Sequence, residues 1–221
     1  MPTTSPRNPI ALAAIAFGLI ASYLLAPLLP HWTGWENGPV ENAQAALLFW
    51  GGVSALHCAA QSEAGRLRAF WWMVAPIWFI MVGRELSWGA ALLTPLDFSA
   101  QTGPTFSSTQ QLDYKPAVAP VVGMLAAFSL AVFVRTRQYR TLQSLWLRRA
   151  LPLAEIGLFA AALLLSTAAE GHMGLSIPWT EEWALQNLEE LAELCAYAAL
   201  FCAQWRVRAC LRSCEGQQTS A

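Results

Sequence analysis

Charge is what this sequence is short of. Only 12% of its 221 residues are Asp, Glu, Lys or Arg, about half the ~25% usual in a soluble domain. With 56% hydrophobic residues, 11 Trp, 10 Phe and a mean hydropathy of +0.39, this excludes an ordinary soluble fold and implies a polytopic membrane protein. No basic tract of nucleic-acid type is present, so nucleic acid is not an expected partner. The cysteines are Cys58, Cys195, Cys202, Cys210 and Cys214. None falls in an extracytoplasmic loop of the topology below, so no disulfide framework is expected. Also missing are His-x-x-x-His, His-Glu-x-x-His, Gly-x-Ser-x-Gly and Cys-His arrangements, obvious repeats and low-complexity segments.

What is present is a set of long apolar stretches. Six can be cut, at about 9–29, 41–60, 69–93, 117–134, 151–169 and 181–205, each near the ~20 residues a helix needs to cross the hydrocarbon core. The expected fold is all-α: one transmembrane bundle of six helices over the whole chain, with 206–221 as a cytoplasmic tail. The first stretch reads as a retained helix, because its flank has only Arg7 and no small-x-small cleavage site follows. Arginines alternate between loops. Arg7, Arg66 and Arg68, then Arg135, Arg137, Arg140, Arg148 and Arg149, then Arg206, Arg208 and Arg212 all fall on one side of an even-numbered bundle. The positive-inside rule makes that side, and both termini, cytoplasmic. Trp71, Trp72, Trp146 and Trp205 fall near the inner interface, with Trp32, Trp35, Trp179 and Trp183 near the outer one, as an aromatic belt does. The long outer loop 94–116 is expected to cover whatever site lies beneath it.

Against this background Arg84 and Glu85 stand out, because they interrupt the third stretch eight or nine residues from its outer end, roughly 12 Å deep. A charge there costs at least ~2.5 kcal/mol, so partners are expected. The sixth stretch offers them. Pro178 and Thr180 start it, Thr180 as N-cap, and Glu181 and Glu182 suit the positive end of the helix dipole. At ~100° per residue Glu182, Gln186, Glu189, Glu190 and Glu193 share one sector roughly 100° wide, with Tyr197 continuing it. Glu189 matches the depth of Arg84–Glu85. Glu41 and Gln44 open the second stretch one turn apart, Glu170 and His172 close the fifth, and Ser87 and Trp88 follow the Arg-Glu pair. Arg84 cannot neutralise so many acids. The surplus carboxylates must hold protons, share them or bind a cation. The expected ligand-binding set is therefore Arg84, Glu85, Gln186, Glu189, Glu190, Glu193, Glu41 and Trp88. Glu155 is expected to meet Arg148 or Arg149, and Gly83 and Gly89 read as close-packing positions.

Gly-Pro-Val-Glu at 38–41 and Arg-Glu-Leu-Ser-Trp-Gly at 84–89 together resemble a loose group of uncharacterised bacterial multi-pass membrane proteins. That group carries an acidic Gly-Pro-Val/Ile-Glu opening and a Glu-Glu-Ile-Ser-Trp-Gly-like motif after a long apolar helix. The match covers mainly 35–93. Arg84 stands where the group often has Glu, and no Asn-Leu-His-Asn segment follows. The resemblance implies a bacterial inner-membrane location and no particular activity.

Three functions fit these residues. The first is capture of a cation, proton or polar ligand from the periplasmic side, in a transporter, transport accessory or sensor; so small a carrier without repeats would be a homodimer or act with a membrane partner protein. The second is an intramembrane enzyme acting on lipid, with Glu189, Glu193 and His172 holding a metal; an all-carboxylate site suits a divalent cation such as Mg²⁺, Ca²⁺ or Mn²⁺. The third is a structural or assembly protein whose ion pairs only register helices.

Overall fold

The computed structural model describes residues 8–62, 65–174, 177 and 181–218. Arg7, Pro178, Trp179 and Thr180, to which the sequence assigns topology and capping roles, lie outside the described residues.

The chain is mostly helical. Asn8 caps α1 (Pro9–Leu25), its Oδ1 accepting from the Ala11 N–H at 3.2 Å. A Gly38 N-cap with Pro39 at the first helical position starts α2 (Pro39–Gln61), where proline costs no backbone donor. α3 (Arg66–Glu85) follows. Loop 94–116 holds a small antiparallel hairpin, β1 (Asp97–Ser99) with β2 (Gly103–Thr105), and a short helix α4 (Ser108–Gln111). Then come α5 (Lys115–Arg135), α6 (Tyr139–Leu147), α7 (Leu153–Ala169) and α8 (Glu182–Gln218).

Packing follows the series α5–α3–α2–α8–α7, with α1 against α8 and α7. The helix interfaces are built from small residues facing large rings, as close approach between apolar helices requires. Ala55, Ala59, Ala196, Ala199 and Ala203 are buried. A Cβ on Gly51 would stand 2.5 Å from the Trp78 ring, and one on Gly52 2.8 Å from that of Phe79. Polar side chains cross these seams. Trp78 Nε1 donates to Gln204 Oε1, and Gln204 Nε2 donates to the Gly51 carbonyl at 3.0 Å and to Ser54 Oγ at 2.6 Å. The outer surfaces are oily. α5 buries no residue, and Ile10, Phe17, Leu24, Met124, Phe128 and Leu164 all face outward.

Among the described residues three segments are long and apolar enough to cross a membrane: Pro9–Leu28, His31–Gln61 and Lys115–Arg135. Leu153–Ala169 is a shorter apolar helix. Two others of the six expected spans, α3 and α8, fall short on composition: α3 carries Arg66, Arg68, Arg84 and Glu85, and α8 its acidic run and basic end.

Several boundaries differ from the sequence reading. The third helix does not reach residue 93. It ends at Glu85, because Ser87 (φ 46°), Trp88 (φ 60°) and Gly89 (φ 105°) are all left-handed, a run no α-helix accommodates. Arg84 and Glu85 therefore occupy its last turn instead of lying eight or nine residues inside it. The tail beyond 205 is not separate: α8 continues unbroken to Gln218. The basic loop 135–150 contains α6, whose apolar positions are interleaved with Arg140, Thr141, Gln143 and Ser144 and so escape a search for long apolar runs. Trp71 is not a belt residue. It is buried, while the adjacent Trp72 is 48% exposed, since consecutive helical positions point about 100° apart.

Candidate functional site

Two turns of chain build one end of the bundle. Before α2, Glu41 folds back so that its carboxylate accepts the Asn37 N–H, closing the helix start as a capping box does. After α3, the left-handed Ser-Trp-Gly turn packs the Trp88 ring on Gly83, where a Cβ would lie 2.7 Å from the ring. The Tyr114 hydroxyl donates to the Trp88 carbonyl at 2.7 Å, and Lys115 Nζ lies 5.9 Å from the Trp88 ring centre. Asn37 Nδ2 donates to the Ala91 carbonyl at 2.8 Å, so the two motifs of the sequence meet. The hairpin lies on the same region. Trp35 Nε1 donates to the Gln101 carbonyl at 3.3 Å, and Glu36 accepts the Phe106 N–H at 2.8 Å.

The acidic face of α8 fills the space beneath. Gln44 of α2, fully buried, donates through Nε2 to the Glu190 carbonyl at 2.6 Å and to Glu190 Oε2 at 3.0 Å. Its Oε1 is buried without a hydrogen-bond partner. Glu193 is buried, and its Oε1 accepts from Ser166 Oγ of α7 at 3.3 Å. The Tyr197 hydroxyl lies 3.0 Å from Glu85 Oε2 and 3.2 Å from Glu193 Oε2, joining α3 to α8. Glu189 contacts Glu170, which in turn holds His172 Nδ1 at 2.8 Å. Glu41, Glu85, Glu189, Glu190 and Glu193 are close enough to repel one another. A cavity of about 430 Å³ opens beside them, lined by Glu36, Thr102, Glu170, Gln186, Glu189 and Glu190, with Gln186 Nε2 donating to the Thr102 carbonyl at 3.3 Å. Loop 94–116 thus supplies part of its wall.

The structure brings together most of the expected set: Glu41, Glu85, Gln186, Glu189, Glu190 and Glu193. Arg84 joins them at the rim: its side chain is 66% exposed, and Nη2 pairs with Glu193 Oε1 at 3.7 Å. One member stands apart, since Trp88 is committed to Gly83 and Lys115. The metal set is not assembled either. Among the described residues no three of His, Cys, Asp and Glu are disposed to hold a metal ion, and His172 turns an exposed ring to Glu170. Ser166, Glu36 and Thr102 are additions that sequence reading did not reach. Ser166 was the most accessible, as one of two adjacent hydroxyls in the apolar run LLLSTAA.

At the other end of α8, Arg206 Nη1 binds Glu155 Oε1 at 3.2 Å and Oε2 at 2.9 Å, with side chains only 6% and 4% exposed. Glu155 was expected to meet Arg148 or Arg149. It faces into the bundle from the first turn of α7, whereas those two arginines are exposed outside it.

No protein family, curated protein or solved structure matches the chain. Function must be argued from this geometry alone.

Proposed function

We propose that the chain is a multi-pass protein of the bacterial inner membrane, with α1, α2, α3, α5, α7 and α8 crossing and both termini in the cytoplasm. Its carboxylate cluster captures a proton or cation, or a polar ligand bearing one, from the periplasmic side. Two contacts support the common side of the arginine segments: Gln138 Nε2 donates to the Arg66 carbonyl at 2.8 Å, and Arg212 contacts Gln61. The carboxylates lie at the opposite end of α2, α3, α7 and α8, and the positive-inside rule makes that end periplasmic.

The observation that carries the functional reading is the Glu85–Tyr197–Glu193 bridge. A phenol has one proton to donate. With both carboxylates ionised, only one can receive it, and the other faces the phenol oxygen unpaired. One further proton, shared within the pair, completes the bridge. Glu41, Glu189 and Glu190 add negative charge, and the Arg84 guanidinium beside them, largely exposed, reaches only Glu193 at 3.7 Å among the described residues. Low dielectric makes such a surplus costly unless a proton or cation joins it. A ligand that binds only the folded state raises its stability by mass action. The purified full chain should therefore melt higher as the pH falls from neutral to mildly acidic, or on addition of one of Na⁺, Mg²⁺ or Ca²⁺, with saturation. Glu193→Gln should abolish that response, and Tyr197→Phe should weaken it. A wild-type melting temperature indifferent to pH and to all three cations would overturn the reading.

A further inference from the structure

A second site lies at the arginine-rich end, independent of the carboxylates. Between Asp113 and Glu155 the chain has no acidic residue, while residues 135–149 supply Arg135, Arg137, Arg140, Arg148 and Arg149. All five are exposed, and among the described residues none is bridged by a carboxylate. Within this segment α6 is strongly two-sided. Thr141 and Leu145 are buried against the bundle, and the buried Gln138 anchors its start through the Arg66 carbonyl. Leu142, Trp146 and Leu147 point outward, the last two 61% and 74% exposed. A helix with an outward apolar face beside basic residues belongs in a membrane interface, with tryptophan at headgroup level.

Behind α6 is a cavity of about 590 Å³, lined by Trp146, Leu147, Arg149, Leu151, Leu153 and Arg206. Its walls combine apolar side chains with two unmatched polar features. Arg149, held in the left-handed region at φ 53°, brings a guanidinium with no carboxylate partner. Arg206 has its charge matched by Glu155, yet its Nε–H is buried without an acceptor. The ligand that complements such a space is amphipathic, with an anionic oxygen-rich head and an oily tail. The apolar face speaks against nucleic acid. We propose that this cavity binds the phosphate headgroup of an anionic phospholipid from the inner leaflet. Arg149 takes the phosphate, and the first carbons of an acyl chain lie along Leu147, Leu151 and Leu153.

The test is native mass spectrometry of the full chain released from micelles holding equal amounts of dioleoylphosphatidylglycerol and dioleoylphosphatidylcholine. The wild type should retain phosphatidylglycerol in preference. Arg149→Gln should weaken that retention about fivefold, the effect of one arginine near an anionic surface. Arg135→Gln, on the same surface but outside the cavity, should leave it unchanged. Equal retention of the two lipids by the wild type overturns the proposal, and this arm needs no variant to fold. Equal losses in Arg149→Gln and Arg135→Gln also overturn it, because they would mean diffuse attraction to the basic surface.

Discussion

Arg206→Met should destabilise the protein by about 3–5 kcal/mol, because it leaves the Glu155 carboxylate buried and unpaired. Both side chains are almost wholly enclosed, and no second basic group bridges Glu155 among the described residues. Glu155→Met should cost as much for the mirror-image reason. The informative result is the double variant. A buried pair gains little over apolar residues of similar volume, so Glu155→Met with Arg206→Met should recover most of the loss. Unfolding of the four proteins in the same detergent, analysed as a double-mutant cycle, measures this directly. Additive losses would mean that the two side chains act separately, contrary to their hydrogen-bonded geometry.

Trp78→Ala should cost about 3 kcal/mol or more. The indole is 3% exposed, lies over Gly51 and meets the Phe201 ring edge-on at 6.4 Å. Glycine at 51 leaves no side chain that could move into the vacated volume. The cost is lost packing at a seam where the ring interlocks with Gly51 and the neighbouring helix. Trp78→Phe separates that from the hydrogen bond to Gln204. It keeps most of the ring and loses only the donor, and it should cost less than about 1 kcal/mol, in line with interhelical hydrogen bonds generally. If thermal unfolding ranks the two variants equally, the Trp78–Gln204 contact and not the ring holds α3 against the rest.

How much of this was legible in the sequence differs from residue to residue. The helices follow from apolar length, which needs no partner to be recognised. The acidic face of α8 follows from spacing along one helix, but the residues of that face that meet Glu85 are Tyr197 and, through it, Glu193, not Glu189, whose depth was matched to it. The direction of Glu155 was not legible. It depends on how α7 is rotated against its neighbours, and a helix that is oily on every side carries no stripe to reveal that rotation. The end of α3 was equally hidden, since Ser87 and Trp88 adopt left-handed backbone that their residue types rarely signal. The Gly-Pro-Val-Glu segment starts α2 and the Ser-Trp-Gly segment ends α3, and Asn37 ties the two ends together through the Ala91 carbonyl.

One feature of α8 links everything described above. It runs for 37 residues, roughly 55 Å at ~1.5 Å per residue, against a hydrocarbon thickness of ~30 Å. No proline or glycine interrupts it from Glu182 to Glu215, so it has no hinge. The carboxylates near its beginning and the guanidinium of Arg206 are fastened to one stiff rod. Any slide or turn imposed at one end of the rod is carried undiminished to the other.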